Sequence, residues 1–218
     1  MQDLEHRRPV KARGLPAISH TAFTLARLGV SANAVSAASV VLAALGGWAL
    51  AQSGEAAGGA RILWLVLALI GVNGRLLCNV LDGLIAVEQA RGSPTGPIWN
   101  ELPDRLADAL LLVGAGYGAA VLAPQWGPAL GWLAALLAVL TAYVRELGRS
   151  LSGQTDFAGP AAKPLRMGLL NIAIAGALIE PLAGFKGHAL MLGLMVIAAL
   201  TALTVANRTR RLAERLSQ

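Results

Sequence analysis

The chain has 218 residues, 56% of them apolar and only 14% charged, with a net charge of +6 and mean hydropathy of +0.60. Soluble globular domains carry about 25% charged residues, so this composition excludes one and reads as a single-domain, all-α integral membrane protein. The positive charge excludes nucleic acid as a partner, because Lys and Arg lie in the gaps between apolar runs rather than on one face, and the lone Cys78 excludes an internal disulfide.

Residues 1–33 read as a cytoplasmic N-terminal segment. Its first part is polar and basic, with Arg7, Arg8, Lys11 and Arg13. No uninterrupted apolar stretch with a cleavage site follows, so a secretory signal peptide is not expected. Between residues 18 and 28, Ile18, Phe23, Leu25 and Leu28 are spaced among polar residues. That pattern fits a short helix lying in the membrane interface, and equally a solvated lead-in.

Six apolar segments follow, each near the ~20 residues that cross a bilayer. They are placed at 34–52, 62–87, 105–123, 129–150, 165–183 and 187–207, so that 34–207 forms a six-helix transmembrane catalytic domain and 208–218 a basic cytoplasmic tail. The breaks carry turn signals, among them Ser53-Gly54-Glu55, Gly92-Ser93-Pro94, Pro124-Gln125-Trp126-Gly127-Pro128 and Gly159-Pro160. Gly114, Gly116 and Gly118 in the third segment read as a tight helix contact, the alternative being a backbone opened for a ligand. No internal repeat is visible, which removes the usual sequence pointer to an inverted-repeat transporter. His6, His20 and His188 are too scattered for a metal set, and Cys78 reads as a small apolar helix residue.

Charge counting orients the bundle. Of eighteen Lys and Arg, fifteen fall before the first segment, in 88–108, between Arg145 and Arg166, or after Asn207. Arg61 and Lys186 lie on the other side, and Arg75 is inside the second segment. By the positive-inside rule both termini of this multi-pass protein face the cytoplasm, which in a bacterial-type cell is the inner side of the inner membrane.

The same side carries an acidic cluster. Asp82, Glu88, Glu101, Asp104 and Asp108 are five of the chain's twelve acids, within residues 75–108. Carboxylates at a membrane boundary are costly and point to function. Asn79 and Asp82 are three apart, and Asp104 and Asp108 four apart, so on helices each pair shares a face. Two such pairs could gather four oxygen ligands for hard cations. Two ions held there could clamp a pyrophosphate, and Gly83 would let a ligand approach the backbone. The plainer alternative is that the acids pair with Arg75, Arg91 and Arg105 at a solvated membrane edge.

Asn79-x-x-Asp82-Gly83-x-x-Ala86-Val87 followed by Asn100-x-x-x-Asp104-x-x-x-Asp108 resembles the D-x-x-D-G-x-x-A-R…G-x-x-x-D-x-x-x-D signature of the CDP-alcohol phosphatidyltransferases. Val30-Ser31-Ala32-Asn33-Ala34-Val35-Ser36 is similar to the segment that opens that family's first membrane helix. Tyr143-Val144-Arg145 and Gly159-Pro160-Ala161-Ala162-Lys163-Pro164-Leu165-Arg166 continue the likeness downstream. Asn79, Val87 and Asn100 depart from the signature, and resemble a bacterial subgroup with the form N-x-L-D-G…N-E-x-x-D-x-x-x-D. Glu101 could restore a charge beside Asn100.

The resemblance implies a phosphatidyl group moved from CDP-diacylglycerol to an alcohol, with release of CMP, in phospholipid biosynthesis. It implies two Mg²⁺ or Mn²⁺ ions held by Asn79, Asp82, Asp104 and Asp108, with Asp108 also the general base. It places the nucleotide against Asn33, Gly83, Ala86 and Asn100, and it implies a homodimer. Arg145, Lys163 and Arg166 are the candidates for binding a phosphorylated acceptor such as glycerol 3-phosphate, unless they are ordinary loop charges. Two rivals are a catalytically silent lipid-binding or assembly module, and a small cation transporter using Asp82, Asp104 and Asp108.

Overall fold

The computed structural model describes residues 16–88 and 95–217, the side chains of residues 87, 88, 97 and 100 excepted. The described residues form seven α-helices: α1 (Pro16–Arg27), α2 (Ala32–Glu55), α3 (Gly58–Glu88), α4 (Gly96–Ala119), α5 (Trp126–Ser152), α6 (Lys163–Ile179) and α7 (His188–Leu216). A short 3₁₀ turn, Glu180–Ala183, follows α6. Among the described residues five helical stretches are long and apolar enough to cross a membrane: Ala32–Glu55, Gly58–Ala86, Trp126–Ser152, Lys163–Ala183 and His188–Leu216. The chain is therefore a multi-pass membrane protein.

The expected third span at 105–123 is α4, which begins nine residues earlier, at Gly96, and ends at Ala119. Its first half carries Glu101, Asp104, Arg105 and Asp108, which keeps it from reading as a lipid-facing span. Basic partners from other helices make this charged half tenable. Residues 208–216, set apart in the sequence as a tail, continue α7 without a break.

Local chemistry sets the helix ends. Ser31 caps α2, its Oγ accepting the Ala34 N–H at 3.1 Å. Gly153 closes α5 in the left-handed conformation (φ 68°), where a side chain would be strained. At the start of α7 the Glu180 carboxylate accepts the N–H groups of Gly187 and Ala189 at 2.6 and 2.9 Å. An anion there complements the helix dipole. Arg61, on α3, pairs with the same carboxylate at 2.5 Å and ties that end of the bundle together.

α2 to α7 form a closed ring. α2 packs on α3, α3 on α6, α6 on α7, α7 on α5, α5 on α4, and α4 back on α2. Glycine makes the tightest of these contacts. A Cβ at Gly114 would lie 2.6 Å from Gly47 Cα, one at Gly71 2.6 Å from Gly46 Cα, and one at Gly116 2.8 Å from Gly131 Cα. Gly114 thus seats α4 on α2, while Gly116, half a turn round, seats it on α5. The packing reading of the glycine cluster is what the structure shows.

α1 lies against α3, burying Ala22 in a cluster with Val35, Leu81 and Ile85. Ile18 and Leu25 pack on that cluster, while Phe23 and Leu28 point outward. The short N-terminal helix is therefore real, and its apolar residues divide between bundle and surroundings.

Candidate active site

Because helices consecutive in the chain alternate in direction, the start of α2, the end of α3, the start of α4, the end of α5, the start of α6 and the end of α7 meet at one end of the ring. There the chain concentrates its charge in two tiers.

The outer tier is partly exposed. Ser36 on α2 donates its hydroxyl to Asp82 Oδ2 on α3 at 2.7 Å. Asp104 on α4, 18% exposed, is paired through Oδ2 with Lys163 Nζ at the first residue of α6. Asp104 and Lys163 are the charged groups acting on Asp82. Glu101 is held by Arg105, one turn along α4, and by Arg145 of α5 at 2.5 Å. Arg145 also reaches Glu146 at 3.0 Å and lies 5.6 Å over the Phe157 ring. Gly83 and Ala86 follow Asp82 on α3, half-buried, and Asn33 lies half-buried on the first turn of α2. The side chain of Asn100 and all of Arg91 lie outside the described residues.

The inner tier is buried. Asp108 is 1% exposed, and its two oxygens are held by two guanidinium groups. Oδ1 accepts from Arg75 Nη2, and Oδ2 from Arg166 Nη2 at 2.8 Å. Arg75, on α3, also reaches the Asp104 backbone oxygen at 3.3 Å and the Asp104 carboxylate at 3.6 Å. Arg166 donates through Nη1 to the Ala161 carbonyl at 2.9 Å and the Thr141 hydroxyl at 3.3 Å. Behind it Arg208 of α7 holds the Thr141 and Ala158 carbonyls at 2.7 and 2.9 Å. Gly159 fits the loop onto α7 at φ 143°, where a Cβ would lie 3.1 Å from Thr204 Cβ, and the Thr204 hydroxyl accepts the Ala161 N–H at 2.9 Å. The loop between α5 and α6 is thereby fastened in place, and with it Lys163 and Arg166.

Asp82, Asp104, Asp108, Lys163 and Arg166 thus come to one end of the ring. Arg145 is at that end too, with its guanidinium spent on Glu101 and Glu146. The charge that Glu101 could lend to position 100 is likewise spent, on Arg105 and Arg145. The solvated-edge pairing expected for Arg75 is corrected: it does pair with the acids, but in a buried setting at 0% exposure. Sequence reasoning also passed over Ser36, Thr141 and Arg208. Ser36 alone left a signal, one turn along α2 from Asn33.

The donor set can be weighed against the two expected ions. Asp82, Asp104 and Asp108 supply three negative charges, and Arg75, Lys163 and Arg166 cancel all three. Both Asp108 oxygens are occupied by guanidinium groups, and no group of three or more His, Cys, Asp or Glu among the described residues is arranged to hold a metal. One ion still fits the outer tier. Asp82 Oδ1 is not used by Ser36, Asp104 faces the same region, and the buried Asn79 Nδ2 has no partner. Half a turn of the Asn79 amide would put its carbonyl oxygen where the unpartnered nitrogen now stands, and such an oxygen suits a hard cation. A second ion would have to share Asp108 with the two guanidinium groups that already hold it.

Solved structures share this architecture. Phosphatidylinositol phosphate synthase of Mycobacterium tuberculosis, crystallised with CDP-DAG bound, superposes with a TM-score of 0.73 at 18% identity. The match covers 91% of this chain and 94% of that one. The same enzyme with manganese and citrate gives 0.70 at 19% identity, covering 89% and 88%. The two proteins have one fold. Among curated proteins, Inner membrane protein YnbA of Escherichia coli (strain K12) is 29% identical over 158 residues, which are 71% of this chain and 73% of that protein. No protein-family model matches the chain.

Proposed function

We propose that the chain is a CDP-alcohol phosphatidyltransferase of the inner membrane. It would move the phosphatidyl group of CDP-diacylglycerol onto an alcohol and release CMP. The observation that carries this reading is the gathering of Asn79, Asp82, Asp104 and Asp108 with Lys163 and Arg166 at one end of a synthase-like ring. The α4 helix in this reading is a sixth span, the site and both termini face the cytoplasm, and the enzyme works as a homodimer. The Asn79 and Asn100 form marks the bacterial subgroup.

Asn79, Asp82 and Asp104 would hold a divalent cation, Mg²⁺ or Mn²⁺, which neutralises charge on the donor pyrophosphate. Gly83, Ala86, Asn33 and Asn100 would line the nucleotide. Lys163 is the most exposed cation of the site, at 24%. A phosphate on the acceptor would meet it there, which favours a phosphorylated polyol such as glycerol 3-phosphate. In the transfer the acceptor hydroxyl oxygen bonds to the phosphorus bearing diacylglycerol. The bond from that phosphorus to the bridging oxygen breaks, and CMP leaves with the electron pair. The hydroxyl proton passes to Asp108, each of whose oxygens keeps a lone pair beyond its guanidinium partner.

The burial of Asp108 between Arg75 and Arg166 favours a second reading, a silent lipid-binding or assembly module on the same fold. One experiment separates them. Purified protein in lipid nanodiscs is given labelled CDP-diacylglycerol, Mg²⁺ or Mn²⁺ and a panel of alcohols. The transferase reading expects CMP and a new phospholipid in equal amounts with at least one alcohol. No CMP with any acceptor leaves the silent module.

A further inference from the structure

Arg75 is the least expected member of the site. It is a fully buried charge inside a membrane helix, one helical turn before Asn79, so the two side chains lie on one face of α3. An isolated guanidinium could not stay there, because burying an unpaired charge costs several kcal/mol. It is kept by Asp108 and Asp104 through a single nitrogen, Nη2. Its other two nitrogens, Nε and Nη1, have no acceptor among the described residues, and neither does the neighbouring Asn79 Nδ2. Three polar atoms on one helix face thus lack protein partners beside the acids, where a ligand would supply them.

The substitution pattern has a charge logic. Asn at position 79 removes one negative charge from the donor set, and Arg75 adds one fixed positive charge to it. Arginine stays charged at every relevant pH, so proton loss cannot relieve this site. A divalent ion placed against Asp108 would sit beside two guanidinium charges in a buried setting, where no water screens the repulsion.

We propose that the Arg75 guanidinium takes the place of one of two divalent ions, making this a one-ion site with a built-in organic cation. Arg75 is then a positioning and charge-balancing residue. It holds Asp108, and it offers Nε and Nη1 to phosphate oxygens of the donor. This rests on the reading that a pyrophosphate-bearing donor binds here.

The test is ion stoichiometry rather than turnover. Mn²⁺ is titrated into the full-length protein in nanodiscs, with and without CDP-diacylglycerol, and counted by electron paramagnetic resonance. One Mn²⁺ per chain is expected for the unaltered protein, and two for the Arg75→Gln, Asn79→Asp double variant. Two ions in the unaltered protein, or none, overturns the proposal, and so does a folded double variant that still takes one. If the double variant fails to keep its helicity and elution volume, the count on the unaltered protein decides alone. Release of CMP is scored separately. One ion with no CMP leaves the charge replacement standing and removes the transferase reading, whereas two ions with CMP does the reverse.

Discussion

Asp108 is where chemistry and stability meet in one side chain. Its charge is the counterpart of two buried guanidinium groups, so Asp108→Asn should do more than stop proton transfer. CMP release should fall to background. The variant should also lose about 3–5 kcal/mol of stability, the scale for breaking a buried ion pair by removing one partner. Thermal unfolding in detergent measures the second effect, and an unchanged midpoint would mean the two arginines find other partners. Lys163 is different, because its side chain is partly exposed and its ammonium holds Asp104. Lys163→Ala should raise KM for a phosphorylated acceptor at least tenfold with little change for CDP-diacylglycerol. An effect confined to the lipid donor would move Lys163 to the nucleotide side. At this scale the sequence was half legible. Helical spacing exposed the acids, since i to i+3 and i to i+4 neighbours share a face whatever surrounds them. The sequence offered Arg75 as a partner only at a solvated edge and did not join Arg166 to Asp108, because these arginines lie 33 and 58 residues from that acid. Such pairings belong to the tertiary fold.

Among elements, α4 stands apart, charged in its first half and glycine-rich in its second. The glycines are what let it close on α2 and α5. Gly114→Val would drive a branched side chain into the Gly47 backbone, and overpacking of this kind costs about 1–3 kcal/mol. Gly168→Ala on α6 is a suitable control, since a Cβ there meets nothing within 4 Å. It should stabilise the helix by about 0.5–1 kcal/mol, and comparing the two unfolding midpoints in one detergent separates packing from helix propensity. The apolar runs at 34–52, 62–87, 129–150, 165–183 and 187–207 were readable as helices because lipid demands long uncharged stretches. The start of α4 was not. Hydropathy reads Glu101, Asp104 and Arg105 as a boundary, whereas they lie within a helix whose charges are matched by Arg75, Arg145 and Lys163.

At the scale of the whole molecule, successive helices of the chain alternate in direction and the ring has one charged end. If α4 crosses the membrane as the other five stretches do, six crossings bring residues 32 and 216 to the same side. Cysteines placed singly at Ala34 and Ser217, in a Cys78→Ala background, should then react together with a membrane-impermeant maleimide added from one side only. Labelling of one but not the other would reduce the crossings to an odd number. A site-end cysteine at Ser150 should follow Ser217 in either case.

The order of helices around the ring also has a consequence in time. The two clamps on Asp108 come from opposite directions along the chain. Arg75 precedes it by 33 residues, while Arg166 follows by 58. At a synthesis rate of about 5–20 residues per second, Arg166 emerges roughly 3–12 s after the carboxylate it will hold. During that interval Arg75 is the only inner-tier cation yet made, so the nascent α4 enters the membrane with one escort and waits for the other. The ring cannot shut until α6 and α7 arrive, and the parts of the site synthesised last, Arg166 and then Arg208, are also the parts that fasten it.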